Sequence, residues 1–245
     1  MQPAPPKSIF LTASWRYLLM ANYIVDSTVL APYVPRGTEL DFYEGETYAS
    51  MVGFRFLDTK VLGIPVPFHR NFCEVNLRFY VRYKTDEGWR RGTSFISEIV
   101  PRRAIAWLAN IAYHEHYAYA PMRHRIIPGD QELNVTYEWG KGRQNYLQAS
   151  ALPKVHPIKE GSLEEFIAEH YWGYNAYNPN TTMEYGVEHP RWLYYPVTHF
   201  QGSYQVEALY GSHFVPYLRQ EPASVFVADG SEVVVRKGSK IAFEV

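Results

Sequence analysis

Apolar and polar residues alternate most cleanly over residues 71–84. Cys73, Val75, Leu77, Phe79 and Val81 fall on one face, and Glu74, Asn76, Arg78, Tyr80 and Arg82 fall on the other. A period of two sustained over that length predicts a half-buried β-strand. Thr85-Asp-Glu-Gly88 reads as its turn and residues 89–100 as the returning strand. Further extended segments are predicted at residues 40–43 and 47–57 around Glu44-Gly45-Glu46, and at 117–127, 132–139 and 145–152, the last two turning at Gly140-Lys-Gly142. Residues 184–189 and 192–200 also read as extended, and 223–227 pairs with 232–236 across Asp229-Gly230, a two-residue hairpin signal. Residues 9–24 form an apolar and aromatic run interrupted by Arg16 and Asn22, which suggests a strand bent near Trp15. Three Pro or Gly breaks make 61–68 a loop.

Helical signals are fewer. Asp26 is a cap residue ahead of a short helix closed by prolines near position 35, and Ser162-Leu-Glu-Glu165 has the capping-box pattern for a helix through about Trp172. Pro101 suits a first helical position, followed at helical spacing by Ala104, Ile105, Leu108, Ala109 and Ala112. Residues 206–218 include a further helix. No strand–helix–strand rhythm, internal repeat or linker is present. The expectation is one α+β, mainly antiparallel β domain over residues 1–245, frayed over the Pro-rich residues 1–7.

Composition narrows the function classes. At 245 residues and 47% apolar the chain has ample core material, and a net charge of −1 without charge runs argues against nucleic acid or an anionic membrane. Aromatic residues make up 16% of the chain, which fits either half-buried sheet surface or an aromatic ligand cage, and leaves a homodimer open. Cys73 is the lone cysteine, so no internal disulfide or zinc–thiolate cluster is expected. With no leader pattern and no apolar run near ~18 residues, the expected setting is cytoplasmic.

The segment Ser94-Phe-Ile-Ser-Glu98-Ile-Val-Pro101-Arg102-Arg103 concentrates the candidate chemistry. Two guanidinium groups in the first turn of a helix oppose the positive end of its dipole, so they call for a carboxylate or an anionic ligand. Glu98 then forms either an ion-pair staple with Arg102 and Arg103 or one wall of an anion pocket. Arg16 interrupts an apolar run and needs a partner if buried. His114-Glu-His116 has a metal-like alternation, with His69, His170 and His189 as further ligands to consider, but the pair alone is weak and no metal is expected. His170 and His189 are alternatively ligand-binding or satisfied by backbone. The lysines lie in polar or turn-like contexts, and nucleotide-binding and serine-nucleophile motifs are absent.

Glu98 followed by Pro101-Arg102-Arg103 resembles the active-site segment of acetoacetate decarboxylases, which have a Glu shortly before Pro-Lys-Lys. In those enzymes the first lysine forms the Schiff base and its neighbour lowers its pKa. Arginine stands at both positions here, and its guanidinium neither deprotonates nor forms a productive imine. Trp15-Arg16-Tyr-Leu-Leu-Met-Ala-Asn-Tyr, Leu30-Ala-Pro-Tyr-Val-Pro35, Phe166-Ile-Ala-Glu-His-Tyr171 and Val187-Glu-His-Pro-Arg-Trp192, together with the Glu98 segment, are similar to the YqjF-like family of uncharacterised bacterial proteins. That resemblance implies an acetoacetate-decarboxylase-like β-barrel or cone with a few flanking helices and a central pocket. The resulting expectation is a pocket for a small organic acid or keto/enol compound, bound by Arg102, Arg103, Arg16, His170 and His189. Glu98 would be the acid–base group of a lyase or isomerase that needs no cofactor. The rival expectation is a non-catalytic binding or structural protein.

Overall fold

The computed structural model describes residues 7–65, 69–102 and 117–244. It places one extensive sheet of sixteen strands beside a few short helices. The strands are β1 (Ile9–Ile24), β2 (Thr38–Leu40), β3 (Tyr48–Val61), β4 (Ile64–Pro65), β5 (Phe72–Thr85), β6 (Gly88–Val100), β7 (Tyr117–Tyr119) and β8 (Met122–Pro128). They continue with β9 (Leu133–Trp139), β10 (Asn145–Ala151), β11 (His156–Pro157), β12 (Trp172–Asn178), β13 (Thr181–Glu188), β14 (Leu193–Ser203), β15 (Ser224–Arg236) and β16 (Ser239–Ala242). The pairings are antiparallel apart from β6 with β7 and with β12.

Hydrogen-bonded neighbours run β13-β12-β6-β5-β3-β1-β15, and β15 also pairs with β13 through Val187↔Val235 and Glu188↔Val234. These seven strands therefore form a closed cycle of pairings. From β15 the sheet also continues through β14, β10 and β9 to β8. Val135, Tyr137 and Leu147 of that extension pack against Cys73, Val75 and Leu77 of β5 in the larger hydrophobic core. The apolar face of β5 is thus covered, as its alternation predicts. Its polar face is covered too, with Glu74, Asn76, Arg78 and Tyr80 all buried. The half-buried strand of the sequence is in fact buried on both sides.

Two sequence expectations fail for definable reasons. Asp229-Gly230 is not a hairpin turn but an interior point of β15, which pairs along β1 from Asn22↔Ser224 to Ile9↔Arg236. Gly230 has φ +81 there, opposite Arg16, and a Cβ on it would lie 2.0 Å from the Trp15 carbonyl oxygen. Close backbone approach, not chain reversal, is what this glycine permits. The capping-box helix, α2 below, ends at Ala168 instead of about Trp172. Glu169 leaves helical geometry, and Trp172 begins β12, which pairs with Gly92 of β6.

The helices are α1 (Ser27–Leu30), α2 (Leu163–Ala168), α3 (Val206–Tyr210) and α4 (Val215–Leu218). Asp26 caps α1 by accepting from the Thr28 N–H at 2.8 Å, and Ser162 caps α2 by accepting from the Glu165 N–H at 3.2 Å. The predicted helix after Pro101 lies outside the described residues. The bend in β1 falls at Tyr17, with φ 54, where the register against β3 shifts between Arg16↔Arg55 and Leu19↔Gly53. Tyr137 of β9 donates to the Tyr17 carbonyl at 2.8 Å, tying this bulge to the covering strands.

Gly230→Ala should lower stability by about 3 kcal/mol or more, through clash added to backbone strain. Gly45→Ala, at φ +87 with open space around it, should cost only about 1–2 kcal/mol. Urea denaturation of both variants separates the two contributions.

Candidate functional site

The polar face of β5 becomes one wall of a cavity of about 370 Å³. Its residues meet the neighbouring strands in register: Phe72 lies opposite Phe56, Glu74 opposite Phe54, and Asn76 between Val52 and Glu98. Arg78 lies between Ser50 and Phe95. All the cavity residues among these stand on strands of the closed cycle, so backbone hydrogen bonds fix their spacing. Trp15, Phe54, Phe56 and Phe72 gather at one end, with Trp15 edge-on to Phe54 and Phe56 at 5.4 and 5.6 Å and Phe56 stacked on Phe72 at 4.5 Å. From there the wall continues through Glu74, still opposite Phe54, and Asn76 beside Glu98 to Arg78 at the far end.

Arg78 is the cavity arginine among the described residues, and sequence reasoning passed over it. Its Nη2 approaches the Ile167 carbonyl at 3.5 Å and the Met20 sulfur at 3.8 Å, and its guanidinium lies 5.7 Å from the Tyr80 ring centre. Its Nε has no hydrogen-bond partner, and it forms no ion pair with a carboxylate among the described residues. Burying a cation without a counter-charge is costly.

His170 follows α2 and also lines the cavity. Its Nε2 donates to Asp41 Oδ2 at 3.2 Å, and Arg91 Nε donates to the same oxygen at 2.6 Å. Asp41 is placed by β2, which pairs with β5, and by its own N–H, which donates to the Tyr80 carbonyl. Burial raises the Asp41 pKa, but the His170 and Arg91 hydrogen bonds and charges outweigh it, leaving the group below its ordinary value. Burial pushes His170 down to about 4, against the Asp41 hydrogen bond and with help from the Arg91 and Arg78 charges. The neutral ring thus carries its proton on Nε2, and Nδ1 remains an acceptor without a partner among the described residues. His189 is lowered to about 4 chiefly by burial. Its Nδ1 donates to the Pro190 carbonyl at 2.9 Å and its ring stacks on Trp192 at 4.1 Å.

Of the residues predicted from sequence, Glu98, His170 and His189 line this cavity. Glu98 is 2% exposed, and the strand pairing sets it beside Asn76. Arg16 is not part of the cavity wall: it donates to Ser14 Oγ and the Gly230 carbonyl and lies 3.7 Å from Asp229. Arg102 is exposed and makes no ion pair among the described residues, so its half of the proposed staple to Glu98 is not formed. Arg103, His114 and His116 lie outside the described residues. His69 joins His170 and His189 on the wall, yet no three His, Cys, Asp or Glu side chains among the described residues are grouped to hold a metal ion. Glu74, also missed, accepts from the Tyr117 hydroxyl at 3.0 Å and from Asn76 Nδ2 at 2.9 Å.

With this architecture in view, the fold is that of the acetoacetate decarboxylases. The chain superposes on acetoacetate decarboxylase from Legionella pneumophila with a TM-score of 0.63 at 15% identity, covering 98% of this chain and 88% of that one. It superposes on the enduracididine biosynthesis enzyme MppR, solved with the condensation product of pyruvate and imidazole 4-carboxaldehyde, with a TM-score of 0.64 at 12% identity. That match covers 99% of this chain and 91% of the other. By sequence the chain belongs to the DUF2071 family, described as an uncharacterized conserved protein (COG2071), whose pattern matches residues 12–232. It is 29% identical over 187 residues to the uncharacterized protein YqjF of Bacillus subtilis (strain 168), spanning 74% of this chain and 73% of that relative. No helix among the described residues is long and apolar enough to cross a membrane.

The two histidines give the fold a pH signature. Because their folded pKa values of about 4 lie below the ordinary 6.5, the unfolded chain takes up protons first as the medium acidifies. Their contribution is complete above about pH 6.5 and is lost as pH falls toward 4, on the order of 3 kcal/mol for His170. Asp41, lowered from 3.8, adds a further loss below that range. Urea midpoints between pH 7.5 and 4 should fall accordingly, and His170→Gln should flatten the slope between pH 6.5 and 4.

Proposed function

We propose that this protein is a small-molecule pocket protein that binds an organic acid or keto/enol compound. The supporting observation is Arg78, a buried guanidinium on a cavity wall without a carboxylate counter-charge among the described residues. A carboxylate or enolate oxygen supplies the missing charge and the missing acceptors. In this reading the closed cycle of strands is the wall of a barrel or cone, and Arg103 can add a second cation from the segment after Glu98. Arg16, held by Ser14 and the Gly230 carbonyl, and the exposed Arg102 are outside the cavity lining and have no direct part in this reading.

If the ligand is turned over, the chemistry is that of a lyase or isomerase acting through an enolate. Glu98 exchanges the proton, and Arg78 stabilises the charge that develops on oxygen. No lysine lines the cavity among the described residues, so a Schiff base has no nucleophile there. A keto acid is in keeping with the fold match to a protein solved with a condensation product of pyruvate.

A thermal-shift screen against small carboxylates and β-keto acids tests the reading. A ligand near ~100 times its dissociation constant should stabilise the fold by about 2.7 kcal/mol. Arg78→Met should abolish that shift while the unliganded protein melts at the same or a higher temperature, because an uncompensated buried charge has been removed. A variant that melts lower and still binds the acids would make Arg78 structural and overturn the proposal. Glu98→Gln should retain binding and lose any turnover.

A further inference from the structure

The cavity is much larger than a pyruvate- or acetoacetate-sized acid. A water molecule takes about 30 Å³ of the liquid, so 370 Å³ corresponds to about a dozen waters, within the range of sites that enclose drug-sized ligands. The extra room is lined mainly by apolar side chains, with Thr59 and His69 among them. Along the cavity side of β5 the order is Phe72, Glu74, Asn76 and Arg78. At about 3.4 Å per residue, the aromatic end and the cationic end are separated by ~20 Å of strand.

At the aromatic end, Phe56 and Phe72 stack at an interplanar angle of 11°, Trp15 meets Phe54 and Phe56 edge-on, and Trp192 stands 6.4 Å from Trp15. Such rings present edges and faces suited to another flat ring or to an extended hydrocarbon. The site is therefore polarised, with a cation at one end and an apolar slot at the other. A short acid held by Arg78 leaves that slot filled with poorly satisfied water. An acid with an apolar body displaces it.

Accordingly we infer that the ligand class is an amphipathic monocarboxylic acid. Its carboxylate or keto-acid head meets Arg78, and a body long enough to cross the cavity sets an aromatic or comparably bulky apolar group against Trp15, Phe54, Phe56 and Phe72. The inference rests on the anion-pocket reading for the head, whereas the body is argued from the aromatic end alone. It distinguishes this chain's site from one shaped for a short β-keto acid.

Calorimetric titration of the intact wild-type protein separates the two parts independently of any substitution. The probes are propionate, 6-phenylhexanoate, 2-oxo-6-phenylhexanoate and 6-phenylhexanamide, whose chains are long enough to carry the ring from Arg78 toward the aromatic end. Burying the chain and phenyl ring should make 6-phenylhexanoate bind roughly thirty-fold or more tightly than propionate. Exchange of carboxylate for amide should weaken binding roughly ten-fold or more. The 2-oxo acid should bind at least as tightly as 6-phenylhexanoate. Equal affinity for propionate and 6-phenylhexanoate would overturn the apolar slot and leave the anion pocket standing. Equal affinity for the acid and its amide would overturn the anion pocket and leave the slot. No binding by any probe at millimolar concentration would overturn both. Phe56→Leu, which keeps an apolar side chain, should cut the preference for 6-phenylhexanoate over propionate while sparing propionate.

Discussion

The short pairing between β13 and β15 is the contact on which the interior depends. Val187↔Val235 and Glu188↔Val234 join the first and last of seven successive strands into a cycle. Just outside it, Arg236 and Glu188 form a two-pronged ion pair at 2.7 and 2.9 Å. The charged pair is exposed and therefore adds little energy, but it holds two backbones in register where only two residue pairs do the joining. Without this junction β5 and β6 would have one face open to water, and Glu74, Asn76, Glu98 and Arg78 would be ordinary surface residues. Closure turns the same side chains into an interior polar surface in which charge must be balanced by neighbours or by a ligand.

This also explains why the sequence told more about the fold than about the site. The β5–β6 hairpin, the capped ends of α1 and α2 and the turn at Gly140 rest on local chemistry, which a single segment displays in full. The role of Arg78 is not local. An alternating strand looks the same whether its polar face meets water or a cavity, and the sequence offers solvent as the simpler partner. The available clue lay across the sheet, because Val52, Phe54 and Phe56 sit in register beside Asn76, Glu74 and Phe72. A polar face flanked by apolar faces on the next strand is poorly suited to solvent. Recognising it requires the β3–β5 register, which the sequence does not state.

Asp229-Gly230 misled for a related reason. A glycine that supplies positive φ serves equally for a chain reversal and for a kink where two backbones nearly touch, and only the partner strand distinguishes them. The Arg102 and Arg103 pair drew attention through its position after Glu98, while the cavity arginine that the described residues contain came from the middle of a strand.

The bulge at Tyr17 reaches further than a bend. Side chains of a strand alternate between its faces, so one extra residue in the ladder exchanges them. Before the bulge Ala13 and Trp15 belong with the cavity-side cluster; after it Leu18 and Met20 do, while Leu19, Ala21 and Tyr23 enter the opposite core. β3 repeats the device near Asp58, which has φ 50: Phe54 and Phe56 line the cavity before it, Thr59 and Val61 after it. The numbering parity of the inward positions therefore changes partway along both strands, and the apolar run of β1 is two alternating messages written out of phase. A one-residue deletion at Tyr17 would turn half of that strand inside out while leaving its composition almost unchanged.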